Sequence, residues 1–161
     1  MKKSVRTGVT FGLTSGAITT LGLMVGLNSG THLRSVVMGG IVTIAIADAF
    51  SDALGIHISE EAENIHTSRE IWEATIATFL SKFLFALTFL VPLIIFELQP
   101  AVIVSIIWGI LILTVLSYLI ARQQGAHPLK VIFEHLFIAA AVIFISCITG
   151  GWVARITGYI P

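Results

Sequence analysis

The sequence predicts an all-α integral membrane protein: one domain over residues 1–161, with five transmembrane helices. Three observations lead there. Hydrophobic side chains make up 56% of the chain and charged ones 11%, a balance found in membrane proteins rather than in soluble domains. The charges are also bunched, with no Asp, Glu, Lys or Arg between Arg6 and Arg34, between Glu97 and Arg122, or between His135 and Arg155. Each gap holds the roughly 20 apolar residues that cross a bilayer, and in lipid a lone spanning segment satisfies its backbone only as a helix. Finally, the connections "NSGTHLR", "ENIHTS", "ELQP" and "RQQGAHP" are too short for a separate soluble domain.

The first helix is expected at about residues 7–28. The apolar run after "MKKSVR" is too long for the core of a secretory signal and continues into a second run, so it reads as a retained span. The second helix, about 35–59, carries Asp48 and Asp52 in its apolar part and leads into a short acidic turn, 60–73. "TSRE", Thr67 to Glu70, reads as a capping box that starts the third helix, at about 70–98. The first turns of that helix are expected to leave the membrane before Lys82, and Pro92 to kink its outer half. The fourth helix is expected at about 100–121 and the fifth at about 130–153. Glu134 and His135 open the fifth, where a carboxylate suits the helix dipole.

Placing the N-terminus in the cytosol puts Lys2, Lys3, Arg6, Arg69, Lys82, Arg122 and Lys130 in or near the cytosol and leaves Arg34 and Arg155 outside, a positive-inside bias. The acidic turn then faces the cytosol. A formal net charge of zero with scattered basic residues gives no basis for nucleic-acid binding. The single cysteine, Cys147, allows neither a disulfide framework nor a zinc-finger spacing. Compact size without an organelle-targeting extension points to a prokaryotic cell membrane.

Gly8, Gly12, Ser15, Thr19, Gly22 and Gly26 recur at steps of three and four, within about 80° of arc on the first helix. Such a strip lets helix backbones approach closely. It suits packing inside the chain's own bundle, or packing on the same helix of a second subunit in a homodimer.

On the second helix, with Asp48 at zero, Asp52 falls at about 40°, Gly55 at about −20°, Ser59 at about 20° and Glu63 at about 60°. One face thus runs acid, acid, small, hydroxyl, acid from membrane depth outward. An Asp at a membrane helix centre costs on the order of 2.5–3.5 kcal/mol, so two in one turn need a partner, a proton or a cation. Two readings follow: protonation, hydrogen bonding or pairing with Lys82, or a hydrated path whose paired carboxylates bind a cation in competition with protons. Side chains at i and i+4 stand side by side and can share one ion, and oxygen ligands favour hard or borderline divalent ions. Beyond the membrane edge, Glu60/Glu63 and Glu70/Glu73 form i, i+3 pairs around His66. They are read either as a solvated face or as a cytosolic metal-collecting site, to which Glu134 is a further candidate.

The order of these segments resembles the vacuolar iron transporter family, small five-helix dimers that move ferrous iron or manganese out of the cytosol. "FGLTSGAITTLGLMVGLNSG" (11–30) resembles the family's first helix with its "GLSDG" segment, and "AFSDALGIHISEEAE" (49–63) resembles "AISMGLGGYLAxxSE" at the end of the second. "VPLIIF" (91–96) resembles the Pro-Leu of the third helix, and "GAHPLKVIFEHLFIAA" (125–140) resembles the approach to the fifth. The resemblance implies transport of Fe²⁺ or Mn²⁺ by proton exchange, along a path at the dimer interface between the first two helices. It matches Glu63 and Glu134 to family glutamates, and Glu70 and Glu73 more loosely. Ser15 stands at the family's first-helix aspartate, Asp52 at its second-helix methionine, and Asp48 where a glycine is usual. Two carboxylates in place of a carboxylate and a thioether favour a harder ion.

Two other classes compete with transport. A membrane enzyme using DxxxD to hold Mg²⁺ for lipid or prenyl transfer would need a second aspartate-rich motif, and Asp48 and Asp52 are the only aspartates. A non-transporting scaffold would use the glycine strip but has no need of buried acids. The expectation is therefore a transporter rather than an enzyme, with no resident cofactor. Its partners are the bilayer, the transported metal ion and a second copy of the chain.

Overall fold

The computed structural model describes residues 2–158, and these are all-helical. In chain order the helices are α1 (Lys3–Thr31), α2 (Arg34–Ala62), α3 (Ser68–Thr88), α4 (Leu90–Ile95), α5 (Leu98–Gln124) and α6 (Pro128–Ile156). With α3 and α4 taken together as Ser68–Ile95, five helices are long and apolar enough to span a membrane. The protein has the build of a multi-pass integral membrane protein. Each span outruns its expected limits by two or three residues at most ends. Hydropathy marks the part that lies in lipid, whereas a 29-residue helix is roughly 43 Å long and overshoots the ~30 Å hydrocarbon layer.

The third span is the exception. Pro92 has no N–H to offer the carbonyl of Thr88, and the helix breaks there into α3 and α4, hinged at Phe89, whose N–H reaches back to Ala86 O at 3.2 Å. The Thr88 hydroxyl donates to Phe85 O at 2.6 Å and accepts from Trp108 Nε1 of α5 at 3.0 Å, which ties the break to its neighbour. The expected kink is thus a one-residue interruption, and the span ends at Ile95 rather than at 98.

The turn between α2 and α3 is shorter than 60–73. Glu60 and Glu61 belong to the last turn of α2, and Glu70 and Glu73 to the first turns of α3. The capping box at Thr67 and Glu70 forms in both directions, and only Glu63–Thr67 link the helices.

α1 is the hub and packs against α2, α3, α5 and α6. Its core residues Ala17, Leu21, Met24 and Val25 meet Val37 and Ile41 of α2, Phe85, Phe89 and Leu93 of the third span, and Ala101 and Val102 of α5. The outer faces carry bare apolar side chains such as Phe50, Phe133, Phe137, Phe144 and Trp152, which suits lipid contact. Polarity goes inward, to buried Thr20, Thr78, Lys82, Ser105 and Ser117.

The glycine strip of α1 is filled from within the chain, by two helices in succession. A Cβ on Gly8 would stand 2.3 Å from Ala74 O of α3, and one on Gly12 would stand 2.7 Å from Thr78 O. Past the midpoint the same face turns to α6, where a Cβ on Gly22 would meet Val142 at 2.7 Å and one on Gly26 would meet Ser146 O at 3.4 Å. Gly16 and Gly30 extend the two contacts, on α3 and α6 respectively. The period of the strip was plain in the sequence; which helices lie on it was not.

A second small-residue strip faces outward on α2. Gly39, Thr43, Ala47, Ser51, Gly55 and Ser59 recur every fourth residue and are all exposed. A Cβ on Gly39 or Gly55 would touch nothing within 4 Å.

Candidate cation site

Asp48 lies at the midpoint of α2, and Asp52 one turn further on. Ala45, Ala49 and Ala53 of that helix are buried, so α2 lies close on α3 and sets both carboxylates beside the third span. Lys82, at the midpoint of that span, is 1% exposed. Its Nζ stands 2.5 Å from Asp48 Oδ2, donates a short hydrogen bond to Asp52 Oδ2, and donates to Ser15 Oγ of α1 at 2.9 Å. The Asp48 contact lacks hydrogen-bond alignment, so its buried Oδ2 has an ion-pair neighbour but no donor.

Three helices thus converge on one ammonium at membrane depth. Lys82 is no cytosolic flank, as its sequence position suggested; it is the partner of both acids. An ammonium has three N–H donors and no acceptor; here it donates to Asp52 and Ser15, while Asp48 is held by charge alone. One positive charge sits against two negative ones, which leaves the cluster one unit negative at full ionisation. The acids are not sealed in, since their side chains keep 25% and 19% of their exposure.

A groove of about 970 Å³ runs between α1, α2 and α6 from Thr31 and Leu33 down to Thr19 and Ile44. Thr19 is one helical turn from Ser15, and Ile44 one turn from Asp48, but no residue of the cluster itself lines the groove. Gly22 and Gly26 line it as well.

The carboxylates outside the membrane do not converge. Glu60 and Glu63 hold His66 Nε2 between them, at 3.2 and 3.3 Å. Glu70 accepts from the Thr67 N–H at 2.9 Å and hydroxyl at 2.8 Å. Glu73 binds Lys2 Nζ at 2.5 Å, Ser4 Oγ at 3.1 Å and Arg69 Nε at 3.1 Å. Both of the latter lie in the polar first turns of α3, ahead of the membrane-spanning part. The Thr67 backbone N–H and then its hydroxyl hold the Glu70 carboxyl below the usual range, and the Lys2 ammonium, ahead of Ser4 and Arg69, does so for Glu73. Among the described residues Glu134 pairs with Lys130 alone, at 4.0 Å. Among the described residues no three His, Cys, Asp or Glu side chains come together as a metal-holding set. The acids of the turn act as a cap, a helix tether and a histidine clamp.

Compared with protein-family models, curated proteins and solved structures, the chain matches none.

Proposed function

We propose that the protein exports a divalent cation, Fe²⁺ or Mn²⁺ in kind, from the cytosol across a prokaryotic cell membrane in exchange for protons, with Asp48 and Asp52 as its intramembrane ligands. The observation that carries this reading is the pair of partly accessible carboxylates facing one buried ammonium at the midpoint of three spans. Ionised groups at that depth cost several kcal/mol each before pairing, and a buried ion pair is weak support for stability. A helix bundle that only needed holding together would do better with apolar contacts, whereas a cation path needs fixed negative charge. Carboxylates also take up protons, which supplies the exchange.

The groove supports access from the α1 C-terminal end, which is the outer side when the N-terminus is cytosolic. That orientation rests on six basic residues against two once Lys82 is set aside as a membrane-buried group. The exposed strip on α2 supports a homodimer. A second copy lying there would pack backbone against backbone and would bring a second Asp48 and Asp52 near the first.

The test is transport in proteoliposomes loaded with Mn²⁺, Fe²⁺, Co²⁺ or Zn²⁺ under an imposed pH gradient, for wild type and Asp52→Asn. Metal flux that follows the gradient in wild type and vanishes in the variant is expected. Equal flux in both would remove Asp52 from the mechanism, and no metal-dependent flux in wild type would end the transporter reading. A scaffold would show that last result.

A further inference from the structure

We infer that Lys82 is a tethered competitor for the transported cation: its ammonium occupies the seat between Asp48 and Asp52, and a cargo ion binds only as that ammonium withdraws. The inference rests on the transport reading and adds to it a step in which the cargo ion and a cation of the protein exclude each other.

Geometry is the first support. The ammonium lies against the Oδ2 atoms of both carboxylates, hydrogen-bonded to Asp52 and paired by charge with Asp48, so it stands where an ion shared by the two acids would stand. No second cation fits there at the same time.

Charge is the second. Two carboxylates and one ammonium sum to minus one. A divalent ion added with the ammonium in place would carry the cluster to plus one in the middle of a membrane, and it would sit a few ångströms from a like charge, where repulsion is strong. With the ammonium withdrawn, the same ion brings the cluster to zero. The site is neutralised by a divalent ion only when Lys82 leaves it.

The third is reach. Four methylenes carry the ammonium and let the head swing, and both carboxylates keep part of their exposure, 25% and 19%, so an incoming ion can meet them while the ammonium is still in place.

A structural role and a competing role predict opposite signs for loss of the charge. Mn²⁺ binding is measured by electron paramagnetic resonance on the full chain in nanodiscs, for wild type, Lys82→Gln, Lys82→Arg and Asp52→Asn. Lys82→Gln is expected to bind Mn²⁺ on the order of tenfold or more tighter than wild type, Lys82→Arg no tighter than wild type, and Asp52→Asn more weakly. Unchanged or weaker binding by folded Lys82→Gln, with Mn²⁺ still bound by wild type, overturns the competitor and leaves the transport reading standing. No Mn²⁺ on wild type or Lys82→Gln overturns both. Should Lys82→Gln not fold, acetylation of the wild-type amine, read by mass spectrometry, decides. Labelling of Lys82 is expected to rise several-fold with saturating Mn²⁺, and labelling that stays the same overturns the inference.

Discussion

Gly26 of α1 and Gly150 of α6 meet backbone to backbone: a Cβ on Gly150 would lie 2.1 Å from the Gly26 carbonyl oxygen. No rotamer relieves that clash, because the backbone fixes where a Cβ stands and the oxygen it meets is itself backbone. Gly150→Ala is therefore expected to force α1 and α6 apart and to destabilise the fold by about 1–3 kcal/mol, the usual cost of overpacking. Gly55→Ala makes the same chemical change where nothing stands within 4 Å, and helix propensity alone favours it by about 0.5–1 kcal/mol. Thermal unfolding in one detergent should move the two variants in opposite directions. A drop for both would mean that the outer face of α2 is covered within the fold.

Charge imbalance around Lys82 gives the second prediction. Lys82→Met leaves two carboxylates at membrane depth with no counter-charge, and removing one partner of a buried pair costs about 3–5 kcal/mol. Adding Asp48→Asn and Asp52→Asn to the same chain removes the stranded charges and should recover most of that loss. A triple variant no more stable than Lys82→Met would mean that the lysine contributes through packing of its stem, not through its charge.

These two sites show what the sequence carried and what it did not. Hydropathy gave the five spans because lipid allows a lone segment no structure but a helix. The capping box at Thr67 and Glu70 and the break before Pro92 were legible because their causes are local, an oxygen three residues from an N–H and a ring without one. The pairing of Lys82 with Asp48 and Asp52 was one of two readings open in the sequence, because Lys82 is the one cation near membrane depth, but hydropathy counts a lone lysine as a flank whether it points out or in and could not choose between them. The α1 strip announced close packing but not its partners. The α2 strip escaped because steps of four drift by about 40° each around a helix, so neighbouring members share a face but the six together wind over about half of the helical wheel.

That second strip leads to the third prediction. Ala47→Leu and Gly55→Leu put bulk on the exposed face of α2, where surface changes are usually worth within ±0.5 kcal/mol. Monomer stability should barely change, while light scattering should show the proposed dimer for the wild type and monomer for both variants. Gly12→Leu, by contrast, pushes into Thr78 O of α3 and is expected to abolish folding. Dimers that survive both α2 substitutions would place the interface elsewhere.

Glu73 closes the series, with a pH dependence whose sign is fixed. Lys2, Ser4 and Arg69 lower its carboxyl in the folded state, while the unfolded chain titrates near the ordinary value of about 4.3. A depressed carboxylate contributes stability that is fully present above the unfolded value and is lost as pH falls through the folded one. Acidification below about pH 4 is therefore expected to release the start of α1 from α3. The wild-type chain should then show faster amide exchange over Lys3–Gly8 in detergent at pH 3 than at pH 6, after correction for the intrinsic rate. In Glu73→Gln the tether is already weakened at neutral pH, so exchange there should be faster at pH 6 and nearly flat on acidification. The same acid-induced rise in both chains would assign the pH response to other carboxylates. The transport reading makes a further demand on this comparison: since the Glu73 carboxylate is already committed to Lys2 and Arg69, Glu73→Gln should leave Mn²⁺ flux close to wild type, whereas a collecting role for the acidic turn requires the flux to fall.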